Sequence, residues 1–255
     1  MRLAERLWVG ADFDPRKEGG VIGVTQKVRE LAEALRGTGV TIKINSILRA
    51  CGFDLIAQIN SLGLGVCPDL KLNDISNTLE LDAVMLAMYK PKCVTVMASS
   101  SSLAIQRVKT ALGASTQVIG VTVLTDISDK ECRELYCVPP LDMVIRFARH
   151  VQKAGADGIV SSALEAPHLR ALSEFAGLTL TTPGIRPEWA PVDNDDQRRV
   201  TTITEAIRSG ADRIVLGRPI IRATNPRDAV MRTLEEIETA LAGPMNVNVK
   251  EAGLR

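Results

Sequence analysis

The segments Ala154-Gly-Ala-Asp-Gly-Ile-Val160 and Ser209-Gly-Ala-Asp-Arg-Ile-Val215 are two copies of one structural unit. In each copy a helical pattern ends at a glycine, which suits the left-handed backbone of a helix C-terminus, and the chain enters an apolar run through Ala-Asp. A helix-to-strand junction that occurs twice indicates a chain built by repeating βα units.

The same alternation of short apolar runs and longer helical patterns extends along most of the chain. Runs rich in β-branched residues predict eight strands, and stretches with apolar residues at helical spacing lie between them. We predict strands at residues 7–13, 41–47, 66–72, 93–98, 117–125, 158–163, 178–184 and 213–217. The predicted helices include residues 24–36, 78–89, 141–154 and 226–241.

Eight βα units within 255 residues predict an α/β protein that folds as a (β/α)8 TIM barrel. Because no Pro/Gly/Ser-rich linker or low-complexity tract divides the sequence, we expect a single domain over residues 1–255. A doubly wound open sheet is the alternative arrangement of the same units.

The composition excludes several classes of protein. Hydrophobic residues make up 45% and charged residues 24%, as in an ordinary globular protein. The net charge of +1 offers no general attraction for nucleic acid or a membrane surface, so an anionic ligand must be held by local groups. The five cysteines contain no Cys-x-x-Cys pair of the kind that binds zinc. No apolar run is long enough to span a membrane, and Glu5 interrupts any signal-peptide core. We therefore expect a cytoplasmic protein without a metal.

Charged residues occur in strands that a parallel barrel covers on both faces, where ordinary solvation does not explain them. In Thr41-Ile-Lys-Ile-Asn45, the alternation of a strand turns Lys43 away from the two isoleucines and toward the barrel interior. Asp12 ends the first strand. Both lie at the carboxyl ends of their strands, where barrel enzymes carry their sites.

The third strand continues this pattern in Asp69-Leu-Lys-Leu-Asn-Asp74. Alternation places Asp69 and Lys71 on one face and the two leucines on the other, toward the helices, and Asp74 comes just past the strand. Lysines interleaved with aspartates keep each other charged when buried, which suits fixed electrostatic catalysis. The simpler alternative is a solvated ion pair at a strand edge.

A phosphate site is predicted after the last two strands, which is where barrels commonly bind phosphate. Thr182-Pro-Gly-Ile-Arg-Pro187 follows the seventh strand, and Leu216-Gly-Arg-Pro-Ile220 ends the eighth. Gly217 permits a close backbone approach, and the forked guanidinium of Arg218 matches phosphate oxygens. The polar stretch 187–197 is long enough to fold over a ligand. Alternatively, Gly-Arg-Pro is an ordinary turn with a surface arginine.

The segment Asp69-Leu-Lys-Leu-Asn-Asp-Ile-Ser-Asn-Thr78 resembles the signature Asp-x-Lys-x-x-Asp-Ile-Pro-Asn-Thr of the orotidine 5′-phosphate decarboxylase family. Residues 121–125, 182–187, 197–200 and 214–220 agree with the same family and follow its order. The resemblance implies a decarboxylase that converts orotidine 5′-phosphate to uridine 5′-phosphate and CO2, the last step of de novo UMP synthesis, without any cofactor.

The resemblance also implies a role for each matching residue. Lys71 would protonate C6 of the pyrimidine within an array completed by Lys43, Asp69 and Asp74. Asp74 and Thr78 would act in the neighbouring subunit's site of a homodimer. The implied substrate-binding residues are Asp12 and Lys43 at the ribose, Thr125 at the pyrimidine, Gln197 and Arg218 at the phosphate, and Pro183 and Gly217 beside them.

The sequence departs from the family pattern at three places. Ser76 replaces a proline, Asn45 replaces a glycine, and Ala98-Ser-Ser-Ser-Ser-Leu103 replaces His-Ala-x-Gly-Gly, a serine run to which the sequence assigns no role. His150 falls in a helical stretch outside the motifs, where a lone histidine is most simply a packing or surface residue.

Two other functions remain open. One is a magnesium-dependent sugar-phosphate decarboxylase or synthase of the same barrel group, and the other is a catalytically silent nucleotide-binding barrel.

Overall fold

Eight parallel strands form the centre of the protein in the computed structural model, which describes residues 1–191 and 200–244. The strands are β1 (Leu7–Gly10), β2 (Thr41–Ile44), β3 (Gly65–Pro68), β4 (Cys93–Met97), β5 (Gln117–Val121), β6 (Gly158–Val160), β7 (Thr179–Thr182) and β8 (Arg213–Leu216). Their order in the sheet is β3-β2-β1-β8-β7-β6-β5-β4.

The two edges of this sheet meet in a short seam between β3 and β4. The N–H of Leu72 donates to the carbonyl of Thr95 (3.0 Å), and the N–H of Met97 donates to the carbonyl of Leu72 (2.9 Å). At the other end of the seam, the N–H of Lys92 donates to the carbonyl of Val66 (2.8 Å). These bonds close the sheet into a barrel, so the predicted TIM barrel is confirmed and the open-sheet alternative is wrong.

Helices surround the barrel. They are α1 (Gly20–Ala34), α2 (Ser46–Cys51), α3 (Asp54–Asn60), α4 (Ser76–Ala87), α5 (Ser102–Leu112), α6 (Asp129–Tyr136), α7 (Pro140–Lys153), α8 (Ala166–Ala171), α9 (Ile203–Arg208), α10 (Arg218–Ile221) and α11 (Pro226–Ala242), with short 3-10 helices at Leu3–Arg6 and Ser173–Phe175. Within the two described ranges, no helix is both long and apolar enough to cross a membrane.

All eight predicted strands exist, but each of them ends earlier than predicted. The strand predicted at residues 41–47 ends at Ile44, because Ser46 begins α2 and turns Ile47 and Leu48 into the core. The strand predicted at 66–72 ends at Pro68, so Asp69 and Lys71 follow the strand instead of lying within it. Neighbouring strands stay within pairing distance over only two to five residues before the chain turns toward the helices.

The repeated Gly-Ala-Asp segment has the same structure in both copies. Gly155 (φ 83°) and Gly210 (φ 102°) take the left-handed backbone that ends the preceding helix. In each copy the aspartate carboxylate accepts a hydrogen bond from a backbone N–H of the preceding strand and pairs with a cation of a neighbouring helix. These partners are Val118 (2.7 Å) and Lys109 (2.6 Å) for Asp157, and Leu180 (2.8 Å) and Arg170 for Asp212.

The interior of the barrel is filled by side chains from alternate strand positions. Trp8, Cys67, Cys93 and Ile119 form an apolar cluster there. Arg213, a strand charge that the sequence analysis did not single out, is 4% exposed, donates to Oε1 of Gln117 (2.6 Å) and lies 5.5 Å from the centre of the Trp8 ring. It begins β8, so it lies at the amino-terminal end of the barrel, where residues serve stability.

Candidate active site

Lys43 lies at the carboxyl end of β2 and points into the barrel, as the alternation predicted. Its Nζ donates to Oδ2 of Asp12 (3.0 Å) and to Oδ2 of Asp69 (3.1 Å). The side chain is 14% exposed, whereas that of Asp12 is 56% exposed. Lys43 therefore joins a buried carboxylate to one that faces solvent.

Lys71 meets the same buried carboxylate. Its Nζ donates to Oδ2 of Asp69 (2.8 Å), and its side chain is 31% exposed. Leu70 and Leu72 are buried in the core, but they follow β3, so their burial is not that of one face of a strand. Lys71 has a left-handed backbone (φ 51°), which is uncommon for a long side chain and is held by the contacts around it.

Thr95 of β4 is a member of the cluster that sequence reasoning missed. Its hydroxyl donates to Oδ1 of Asp69 (3.1 Å) and accepts from the backbone N–H of Lys71 (2.9 Å). Asp69 thus receives hydrogen bonds on both oxygens and cannot rotate freely. Alternation along β4 could have found this residue, because it places Thr95 on the interior face between Cys93 and Met97.

The two central charges of the cluster stabilise each other. Burial alone raises the pKa of the Asp69 carboxyl, but the charges of Lys43 and Lys71 and the hydrogen bonds they donate lower the pKa by more, so it lies below its ordinary value. Burial alone lowers the pKa of Lys43, whereas the carboxylates of Asp12 and Asp69 raise it above its ordinary value. Both groups are therefore charged at neutral pH.

Gly10 leaves the space in which Lys43 and Asp12 meet. A Cβ at this position would lie 3.2 Å from Oδ2 of Asp12, 3.4 Å from Cε of Lys43 and 3.5 Å from Cα of Gly217. A side chain at this position would crowd Asp12 and Lys43. Glycine at the end of β1 is therefore part of how the fold makes room for the charges.

A cavity of about 580 Å³ opens beside Lys43 at the carboxyl ends of the strands. Its lining includes four other residues predicted to bind substrate: Asp12, Pro183, Gly217 and Arg218. It also includes three cations that the sequence analysis did not select: Lys17, Arg186 and Arg222. Arg186 lies within the quoted segment after the seventh strand, and Arg222 follows Arg218 by one helical turn, so the signals for both were present.

Six of the eleven predicted site residues are not found in the lining of this cavity. Asp69 pairs with Lys43, which does line it, and Lys71 pairs with Asp69, but neither is itself in the lining. Within the described part of the chain, the lining also does not include Asp74, Thr78 or Thr125. Asp74 is exposed and accepts a hydrogen bond from the backbone N–H of Ile75 (2.6 Å). Gln197 lies outside the described residues. The roles of these six stay predictions.

Metal ligands of the usual kind are not grouped in the described residues. Among residues 1–191 and 200–244, no cluster of three or more His, Cys, Asp or Glu side chains is arranged to hold a metal ion.

A charged cluster at the carboxyl ends of barrel strands is where enzymes of this fold carry out their chemistry, so the fold and the site define a (β/α)8-barrel enzyme. The chain belongs to the orotidine 5′-phosphate decarboxylase / HUMPS family, whose model matches residues 5–233.

Individual relatives agree with this assignment. The orotidine 5′-phosphate decarboxylase of Afipia carboxidovorans is 38% identical over 192 residues, which are 75% of this chain and 80% of that protein. That of Syntrophomonas wolfei is 31% identical over 251 residues, 93% of this chain and 100% of that protein. The crystal structure of orotidine 5′-phosphate decarboxylase from Lactobacillus acidophilus superposes with a TM-score of 0.75 at 28% identity, covering 91% of this chain and 99% of that one.

Proposed function

We propose that the protein decarboxylates orotidine 5′-phosphate to uridine 5′-phosphate and CO2, the last step of UMP synthesis. Family membership and the names of the relatives support the reaction. The observation that carries it is Asp69 held between Lys43 and Lys71 at 3.1 and 2.8 Å, with Lys43 lining a cavity of nucleotide size.

In the proposed mechanism, the bond between C6 and the carboxylate breaks and leaves its electron pair on C6. The ammonium of Lys71 stabilises this charge and then transfers a proton from Nζ to C6, which forms the C–H bond of the product. Lys71 is left neutral and regains a proton from solvent. Asp69 and Thr95 hold Lys71 in place before the reaction begins, so little reorganisation is needed.

Asp69 would lie near the substrate carboxylate. Repulsion between the two carboxylates is a contested source of catalysis, and we assign the larger part to stabilisation of the carbanion by Lys71. Asp12 and Lys43 would bind the ribose hydroxyls, and Thr125 the pyrimidine.

The other end of the cavity would hold the phosphate. Arg218 supplies a forked donor set there, and we assign Pro183, Gly217 and Gln197 to the same group. Arg186 and Arg222 line this cavity as well, so their charges add to the attraction for a dianion. Phosphate binding occurs far from the bond that breaks, so its binding energy can be used to lower the reaction barrier.

We also propose a homodimer with shared sites, in which Asp74 and Thr78 complete the partner's cavity. Apolar residues are exposed on α4 and at its ends, immediately after Asp74: Ile75 (71%), Leu81 (59%), Val84 (49%), Met85 (54%) and Met88 (73%). Leu103, at the start of the neighbouring α5, is 51% exposed. An apolar surface of this kind is typical of an interface between protein chains. We define these six residues as the α4 face.

The decisive test of the reaction is a spectrophotometric assay with orotidine 5′-phosphate in the presence of a chelator. We expect the wild type to be active and Lys71→Ala to lose activity by on the order of 10³-fold or more, because it removes both the charge and the proton donor. If the protein does not turn over orotidine 5′-phosphate but acts on a sugar phosphate, and the chelator abolishes that second activity, the magnesium-dependent alternative is favoured. Tight binding of uridine 5′-phosphate without turnover would favour the silent barrel.

Finally, we propose that the protein acts in the cytoplasm. All five cysteines are free thiols, and Cys51 and Cys137 are exposed. A reducing compartment keeps such thiols unpaired.

A further inference from the structure

A chain of hydrogen bonds connects α7 to the segment that carries Lys71 and Asp74. Nε2 of His150 on α7 lies 2.8 Å from the carbonyl oxygen of Ser100, and the Ser100 hydroxyl donates to Oδ1 of Asn73 (3.0 Å). Asn73 is the residue between Leu72 and Asp74. Residues that are 27 and 50 positions apart in sequence are therefore joined directly.

The proton positions in this chain follow from the groups involved. A carbonyl oxygen can only accept, so Nε2 of His150 carries the hydrogen that points to Ser100. In the neutral ring Nδ1 is then the acceptor, and it lies 3.5 Å from the Ser102 hydroxyl. His150 is half-buried and Ser100 is 5% exposed, so water competes little for the Ser100 end of the chain.

The last three serines of the run after β4 make three different contacts. Ser100 contacts Asn73, Ser101 caps α5 by accepting from the N–H of Ala104 (3.2 Å), and Ser102 faces His150. Ser99 is exposed. The run therefore offers one residue that reaches the Lys71–Asp74 segment and a neighbour that stabilises a helix without reaching it.

Several hydrogen bonds hold the segment from Lys71 to Asp74. The backbone N–H groups of Lys71 and Leu72 donate to Thr95 of β4, and Lys71 has an uncommon left-handed backbone. The bond from Ser100 to Asn73 adds a further contact, two residues beyond Lys71 and one before Asp74. Without it, the backbone after Leu72 gains freedom, and the side chains on both sides of Asn73 lose part of their fixed geometry.

We propose that Ser100 and His150 are positioning residues that act through Asn73 on Lys71 of the same site and on Asp74. This inference rests on the proposed decarboxylase function. The Ser100 side chain bonds to Asn73 and the His150 ring bonds to the Ser100 backbone, so we assign both an effect on the placement of the reacting groups rather than on substrate binding. The serine run thereby supplies, together with a distant histidine, the support that the β3–α4 segment requires.

The test measures kcat, KM and Tm for Ser100→Ala, His150→Ala and His150→Gln. We expect Ser100→Ala and His150→Ala to lower kcat about tenfold, the effect of one lost hydrogen bond, with KM changed less than about twofold. His150→Gln keeps an N–H near the position of Nε2, so kcat should return to within about threefold of wild type.

A matched control separates positioning from stability. Ser101→Ala removes the cap of α5 and should lower Tm, but it leaves the contact with Asn73 and should leave kcat unchanged. Adding Asn73→Ala to Ser100→Ala should lower kcat no further than Asn73→Ala does alone, because both changes break the same bond.

The inference is overturned if kcat of Ser100→Ala equals that of wild type, if Ser101→Ala lowers kcat as much as Ser100→Ala does, or if His150→Gln is as slow as His150→Ala. A wild type that does not turn over orotidine 5′-phosphate at all would refute the proposed function itself, and with it the positioning role. The two failures are thus distinguished by the wild-type assay.

Discussion

Asp69 is the residue on which the other charges of the site depend. One oxygen accepts from two lysines and the other from Thr95, so a single carboxylate fixes three side chains from three strands or strand ends. Fixed charges of this kind are effective in catalysis because they do not have to reorient as the reaction proceeds.

The pKa shifts of Asp69 and Lys43 predict a pH window for the stability of the cluster. The folded-state pKa of Asp69 is lowered, so its contribution is present above its ordinary value of about 4 and is lost as the pH falls through the lowered pKa. The folded-state pKa of Lys43 is raised, so its contribution is complete below its ordinary value of about 10.4 and is lost only at higher pH.

We therefore expect the difference in Tm between wild type and Asp69→Asn to stay constant between about pH 5 and pH 9 and to narrow below about pH 4. Thermal unfolding across this range measures it. A difference that changes around neutral pH would contradict the assignment of charges.

A substitution of Arg218 tests whether phosphate binding contributes to the rate. We expect Arg218→Ala to lower kcat as well as to raise KM, with kcat/KM reduced about 10- to 150-fold by the loss of about 1.5–3 kcal/mol from a charged hydrogen bond. Steady-state kinetics with orotidine 5′-phosphate measures both constants. Arg149→Ala, which removes an arginine paired with Glu174 away from the cavity, is the control. A raised KM with unchanged kcat would limit Arg218 to ground-state binding.

At the scale of elements, the βα unit explains why the barrel forms. Each Gly-Ala-Asp copy ends a helix and then places a carboxylate on the N–H of the preceding strand. A local sequence feature thus fixes the register of two neighbouring strands. The strands themselves are short, so close packing between them matters at every position.

Gly158 provides a prediction at this scale. A Cβ at Gly158 would lie 2.4 Å from the carbonyl oxygen of Thr179 on β7, so Gly158→Ala must displace a paired strand. We expect it to lower the free energy of unfolding by about 1–3 kcal/mol, measured by urea denaturation.

The control for Gly158 is Gly177→Ala, since no heavy atom of the described residues lies within 4 Å of the added methyl group. It should be neutral or stabilise the protein by less than about 1 kcal/mol. Equal destabilisation by both changes would show that the strand contact is not responsible.

At the scale of the whole molecule, the α4 face and the position of Asp74 lead to the proposed shared-site dimer. Asp74 comes directly before this face and is exposed in the single chain. If two α4 faces pack together, the apolar surface is buried and each Asp74 is carried toward the other subunit's site.

Mixed dimers test this arrangement. Lys71→Ala and Asp74→Ala should each be inactive, but unfolding and refolding them together should restore about a quarter of wild-type activity. Half of the randomly formed dimers are mixed, and one of the two sites in a mixed dimer has both residues intact. Analytical ultracentrifugation of the same samples reports the dimer. A mixture that remains inactive while dimeric would show that Asp74 serves its own subunit's site.

The sequence by itself determined the eight βα units and the inward direction of Lys43. Both depend on short-range periodicity, since alternation in a strand turns Lys43 into the barrel. Asp69 and Lys71 do meet, but they follow β3 and Lys71 has a left-handed backbone, so strand alternation is not the reason. The strand ends were less predictable, because pairing stops where neighbouring chains diverge, and no local pattern records that point.

The tertiary structure decided which distant residues meet. Closure of the barrel brings Leu72 beside Val96, and with it Thr95 beside Asp69. Only the packing of α7 against the serine run brings His150 to Ser100. These contacts join residues that are far apart in sequence, so they depend on the register of the strands and the paths of the loops rather than on any periodicity within one segment.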